Sequence, residues 1–70
     1  MHEVSIGEAA KLSGVKAPTI RFYEEIGLLP RPARTGANRR LFADDDLRRL
    51  AFIRHCRELG FNLDALRALL

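Results

Sequence analysis

Apolar positions along this chain fall into blocks with helical spacing, and glycines and prolines separate the blocks. Ser5-Ile6-Gly7-Glu8 opens the first block as a capping box, with the Ser5 hydroxyl closing the helix start and Glu8 reaching back to the Ser5 amide. A short helix is predicted from about Ile6 to Leu12 with Ala9 and Leu12 facing inward, and Gly14 supplies the exit turn. The next block, KAPTIRFYEEIGLLP, places Pro18 in a first turn, where its missing amide hydrogen costs nothing. It stops at Gly27, and Pro30 forbids continuation. Ile20 and either Phe22 or Tyr23 bury one side, while Ile26 and Leu28 close the end. Two short helices joined around a glycine make a helix-turn-helix outline.

Beyond it, Leu28-Leu29 and Arg40-Leu41-Phe42 are short extended runs on either side of a Gly36-Ala37-Asn38 turn. They predict a two-stranded hairpin, a wing beside the helix pair. Asn38 tolerates the left-handed backbone that such a turn demands. Asp44-Asp45-Asp46 places carboxylates at a helix start, where the macrodipole favours them. Leu47, Leu50, Ile53, Cys56 and Leu59 then recur at threes, with Ala51 and Phe52 widening the apolar side, so a helix spans about 44–59. Gly60 ends it. Asn62 caps a last helix, about 62–70, bearing Leu63, Leu66, Leu69 and Leu70, the last two exposed at its tail.

The expected architecture is therefore mainly α: a winged helix-turn-helix of four helices, with a short β-hairpin between the second and third. Its parts are a helix-turn-helix over about 5–27, a wing over about 29–43, and the two later helices. Seventy residues make one small domain whose core is only marginally stable. A hydrophobic content of 47% with 30% charged residues suits a folded soluble chain and argues against disorder. No apolar run approaches the roughly 20 residues that span a bilayer, and no signal peptide opens the chain, so a cytoplasmic location is expected.

Candidate chemistry is sparse. Cys56 is the single cysteine and forms no internal disulfide; it is expected to be a buried small hydrophobe. His2 and His55 have no ligand-like spacing with it, so neither metal nor cofactor is expected. With no nucleophile set and no glycine-rich phosphate loop, an enzyme is not expected. The charge pattern says more than the net +3: residues 31–40 carry four arginines and no acid, and three aspartates, Asp44 to Asp46, follow shortly after. Such segregation points to an anionic partner, and nucleic acid is the commonest one for a basic patch.

Taken together, SIGEAAKLSGV, TIRFYEEIGLL, RTGANRRLF, DLRRLAFIRHCRELGF and LDALRALL resemble, in order and spacing, the N-terminal DNA-binding domain of MerR-family transcription regulators. The resemblance covers Val4 to Leu70. It implies a second helix in the major groove of double-stranded promoter DNA and wings on flanking phosphates. It also implies dimerisation in the full-length protein and action on promoter spacer geometry, which reaches RNA polymerase indirectly. By position, Arg21 and Tyr23 lie in the recognition helix, with Lys16, Ala17 and Thr19 at its exposed start. Arg40 is the wing arginine, Arg39 stands beside it, and Arg57 is the basic residue late in the third helix that meets the backbone.

Side-chain chemistry suits these roles. Arginine presents a planar fork to guanine or phosphate, and a tyrosine hydroxyl donates to phosphate oxygen. Thr19 and Tyr23, four apart, share a helix face. Other readings stand beside them: Arg21 as a solvated partner of Glu24 or Glu25, and Tyr23 as half-buried packing. Arg48, Arg49, Arg54 and Arg67 are expected on solvated faces, and Lys11 as plain surface. The chain departs from the family pattern in having Phe22 before Tyr23 where many relatives carry two tyrosines. At the wing tip Asn38-Arg39-Arg40 replaces Gly-Tyr-Arg. The long dimerisation helix and effector region that follow in the family are absent from this sequence, and Cys56 does not match the family's sensing cysteines. Two other functions use the same surface: an interaction module for an acidic protein, and a small excisionase-like architectural DNA-binding protein.

Overall fold

A computed structural model of the chain describes residues 3–30 and 41–70. Four helices follow in order: α1 (Ile6–Ser13), α2 (Ala17–Glu25), α3 (Asp44–Glu58) and α4 (Leu63–Leu69). α1 packs against both α2 and α3, and α4 packs on α3. The expected wing turn and Arg31 to Arg40 lie outside the described residues.

Local chemistry sets the helix ends. The Ser5 hydroxyl accepts the Glu8 amide at 3.3 Å, and the Asn62 side chain accepts the Ala65 amide at 2.8 Å. α3 is closed from the other direction: the Ala43 amide donates to Asp46 Oδ2 at 3.0 Å, and all three aspartates occupy its first turn. These caps satisfy amide hydrogens that have no partner inside a helix. At Gly14 the backbone takes φ 74°, and its amide returns to the Ala10 carbonyl at 2.9 Å. The turn leading to α2 follows at once.

The core is one cluster. Ile20, Leu28, Leu29, Phe42, Leu50, Ile53 and Leu66 are at most 1% exposed, with Ala9, Val15, Tyr23 and Cys56 completing it. Phe42 is anchored by an antiparallel bridge in which Val4 and Phe42 exchange amide–carbonyl bonds of 2.9 and 2.8 Å. The bridge ties the chain start to the entry of α3.

Several inward assignments are corrected. Leu12 is 60% exposed, because Ile6, Ala9, Ala10 and Ser13 form the inner face of α1 and Leu12 lies to one side. Buried Ser13 is accommodated by accepting the Val15 amide at 3.2 Å. On α3 the buried stripe is Leu50, Ile53 and Cys56, flanked by half-buried Leu47; Ala51, Phe52 and Leu59 are exposed. The domain is too small to cover both flanks of a 15-residue helix. Leu28 and Leu29 do not begin a strand: both amides turn back to the Tyr23 carbonyl, at 2.9 and 3.3 Å. Among the described residues Phe42 bridges Val4, and the turn of the expected hairpin, with the arm residue Arg40, lies outside them.

Candidate nucleic-acid interface

The candidate interface is centred on α2, whose exposed face follows from what it must bury. Ile20 and Tyr23, three apart, point into the core, at 0% and 7% exposure. Consecutive side chains on a helix are about 100° apart, so Phe22 cannot share that face and is 44% exposed. Pro18, Arg21, Phe22 and Glu25 then make the outward stripe, at i, i+3, i+4 and i+7. The Phe22 and Tyr23 rings touch across the edge between the two faces, with centroids 6.2 Å apart and planes tilted by 46°.

Lys16 caps the start of α2 without a side-chain hydrogen bond to the helix, and the first turn holds Pro18 but no acid. Unpaired amides, positive dipole and no competing carboxylate leave this end receptive to an anion. Lys11 and Lys16 rim a shallow depression floored by Ala10, Gly14 and Val15 directly beside it. The side chain of Arg54 lies against the turn: a Cβ on Gly14 would stand 3.1 Å from its Nε. Arg54 also pairs with Glu58 at 3.4 Å.

The sequence-predicted residues distribute as follows. Lys16 and Arg21 are exposed, Ala17 and Thr19 half-buried, and Tyr23 buried. Thr19 and Tyr23 do share a side of the helix, but it is the side that turns toward the core, away from Arg21. The reading of Tyr23 as a packing residue matches its burial. Arg57 is exposed at the end of α3 and donates through Nη1 to the Phe61 carbonyl at 2.9 Å, so part of its guanidinium is committed to its own chain. Arg39 and Arg40 lie outside the described residues.

Two arginines expected on solvated faces also reach backbone carbonyls near the end of α2. Arg49 is half-buried, unlike that expectation, and donates through Nε to the Leu28 carbonyl at 2.8 Å; Arg67 is exposed, as expected, and donates through Nη2 to the Ile26 carbonyl. The signal was present: α2 ends on Glu24-Glu25 with no base in its last turn, so its negative end needs a cation from elsewhere. Arg48, by contrast, sits on a solvated face as expected, beside Asp45.

Among the described residues no group of three or more His, Cys, Asp or Glu side chains is placed to hold a metal ion. No described helix is long and apolar enough to cross a membrane.

Comparison with known proteins agrees with this fold. The chain is 45% identical over 67 residues to the HTH-type transcriptional regulator HmrR of Sinorhizobium medicae (strain WSM419), covering 96% of this chain and 46% of HmrR. It is 48% identical over 65 residues to the HTH-type transcriptional regulator ZntR of Escherichia coli (strain K12), covering 93% and 46%. Among solved structures, the transcription regulator PbrR691 from Ralstonia metallidurans CH34, in complex with lead(II), superposes with a TM-score of 0.85 at 47% identity, over 94% of this chain and 51% of that one. HiNmlR, a MerR family regulator lacking the sensor domain and bound to promoter DNA, gives 0.89 at 31% identity, over 97% and 52%. The chain thus spans about half the length of the curated relatives it matches. Residues 4–70 match the MerR HTH family regulatory protein as a family, and the chain belongs to that family.

Proposed function

We propose that this chain is the DNA-reading part of a MerR-type transcriptional regulator. The observation that carries the reading is the likeness to HiNmlR bound to promoter DNA, a TM-score of 0.89 over 97% of this chain. α2 enters the major groove with its outward stripe, so Arg21 meets base edges or phosphate. Lys16 and the uncapped start of α2 meet the backbone, with Ala17 and Thr19 close behind. Tyr23 keeps its ring in the core and directs its hydroxyl to a phosphate. Arg39 and Arg40, in the arginine-rich segment, and Arg57, at the end of α3, grip phosphates flanking the groove.

In a dimer, two such grips on one promoter lever its twist, a deformation on the order of 1–6 kcal/mol, and the altered spacer is what RNA polymerase senses. A cytoplasmic, non-enzymatic protein fits this role. The test is charge reversal: Arg21→Glu and Arg40→Glu, each assayed for duplex binding and, separately, for binding to an acidic protein. Loss of duplex binding in both variants is expected. Duplex binding left intact in both, with acidic-protein binding lost, overturns the DNA reading in favour of a protein-docking one.

A further inference from the structure

Backbone turns and two arginine side chains hold the C-terminal end of α2. Gly27 takes φ 85°, its amide returns to the Glu24 carbonyl at 3.3 Å, and the Leu28 amide returns to the Tyr23 carbonyl at 2.9 Å. This is the Schellman arrangement, and buried Leu28 against buried Tyr23 supplies its usual apolar contact. The motif consumes the carbonyls of Tyr23 and Glu24. Two further carbonyls, that of the cap residue Ile26 and that of Leu28 just past the turn, each receive an arginine from a different helix: Arg67 of α4 on Ile26, and Arg49 of α3 on Leu28.

These two guanidiniums sit where α2 carries Glu24 and Glu25 and no base of its own. A cation at a helix C-terminus is favourable, and one that also donates to a carbonyl is held by direction as well as charge. Leu66, fully buried, fixes α4 in the core one residue before Arg67, so the donor starts from a rigid mount. The bond from Arg67 joins residues 41 apart in sequence, spanning from the tail helix to the end of α2.

We propose that Arg49 and Arg67 are positioning residues for the DNA-reading helix, with Arg67 coupling the placement of α4 to that of α2. The proposal rests on the DNA-reading function set out above. Neither residue belongs to the outward stripe of α2; both act on base selection through the helix they hold. A shift of α4 then moves the reading stripe relative to the base edges, and it acts on sequence preference more than on phosphate attraction.

The test compares Arg67→Met and Arg49→Met with Arg48→Met. All three remove one positive charge, but Arg48 sits on an exposed face with Asp45 and touches no part of α2 among the described contacts. The probes are a duplex selected by the wild-type 70-residue chain from a random-sequence pool and a scrambled duplex of the same length. The ratio of the two affinities is expected to fall at least fivefold in Arg67→Met and Arg49→Met and less than twofold in Arg48→Met. A salt slope equal to that of Arg48→Met is expected throughout. A lost phosphate contact instead weakens both duplexes alike and reduces the salt slope by about one; that outcome overturns the proposal, as does an unchanged ratio.

Should a Met variant fail to fold, nuclear magnetic resonance on the wild type decides. A through-hydrogen-bond coupling from the Arg67 guanidinium to the Ile26 carbonyl supports the proposal, and free rotation of that guanidinium overturns it. If the wild type enriches no duplex at all, the DNA reading falls and this proposal falls with it. An enriched duplex with unchanged selectivity in the variants overturns the positioning role alone.

Discussion

At Tyr23 a phenol ring packed among core residues can offer little beyond its hydroxyl to solvent, since the residue is 7% exposed. Its two possible contributions, packing and phosphate contact, therefore separate by mutation. Tyr23→Phe keeps the ring and removes the oxygen. Its unfolding midpoint in urea is expected to stay within about 0.5 kcal/mol of wild type, while duplex affinity falls roughly tenfold, the worth of one hydrogen bond to a charged group at about 1.5 kcal/mol. Tyr23→Ala loses the ring as well and is expected to unfold, because aromatic truncation in a core costs about 3–5 kcal/mol and a domain this small has little more to lose. Equal duplex affinity for Tyr23→Phe and wild type removes Tyr23 from the contact set. Phe22 stands in the opposite situation: it is 44% exposed beside Arg21, and its ring reaches Tyr23 across the edge of the helix.

The helices themselves were legible to within a residue or two, because their ends are written in side chains that act locally. Ser5, Asn62 and the aspartate run stop or start helices through bonds to residues three positions away. The faces were less legible. Leu12, Leu59 and Phe52 carry the right spacing for burial, but which flank of a helix is covered depends on neighbours that the local pattern does not specify. The turns show the same contrast. Gly14 and Gly27 both take positive φ, so an L side chain is strained at either, by about 1–2 kcal/mol. Only at Gly14 does a Cβ also press on a neighbour, Arg54, whereas nothing lies within 4 Å at Gly27. Gly14→Ala is therefore expected to cost more than Gly27→Ala in thermal unfolding followed by circular dichroism. Each 1 kcal/mol lowers the midpoint by about 4–8 °C in a domain of this size. The reverse order contradicts the placement of Arg54 over the turn.

On the scale of the whole molecule, a small core holds two helices in a helix-turn-helix, and among the described residues Arg21, Arg49, Arg54 and Arg67 lie on or against that pair. The linear charge pattern could not distinguish a cation that faces outward from one that braces the fold. Arg49 and Arg67 look like surface charges in the sequence, and Arg67 is exposed, but each also donates to a carbonyl at or just past the end of α2. That distinction is three-dimensional: the carbonyls they serve are 21 and 41 residues away in the chain.

On the proposed reading, Lys16, Arg21, Arg39, Arg40 and Arg57 present cation to duplex phosphate. That reading is tested by the affinity of this chain for its selected duplex at 50 and at 200 mM monovalent salt. Three to five neutralised phosphates predict a fall of roughly 40–500-fold across that range, from a slope of about −0.9 per phosphate. An affinity that stays level across the same range, or no binding at 50 mM, contradicts the account.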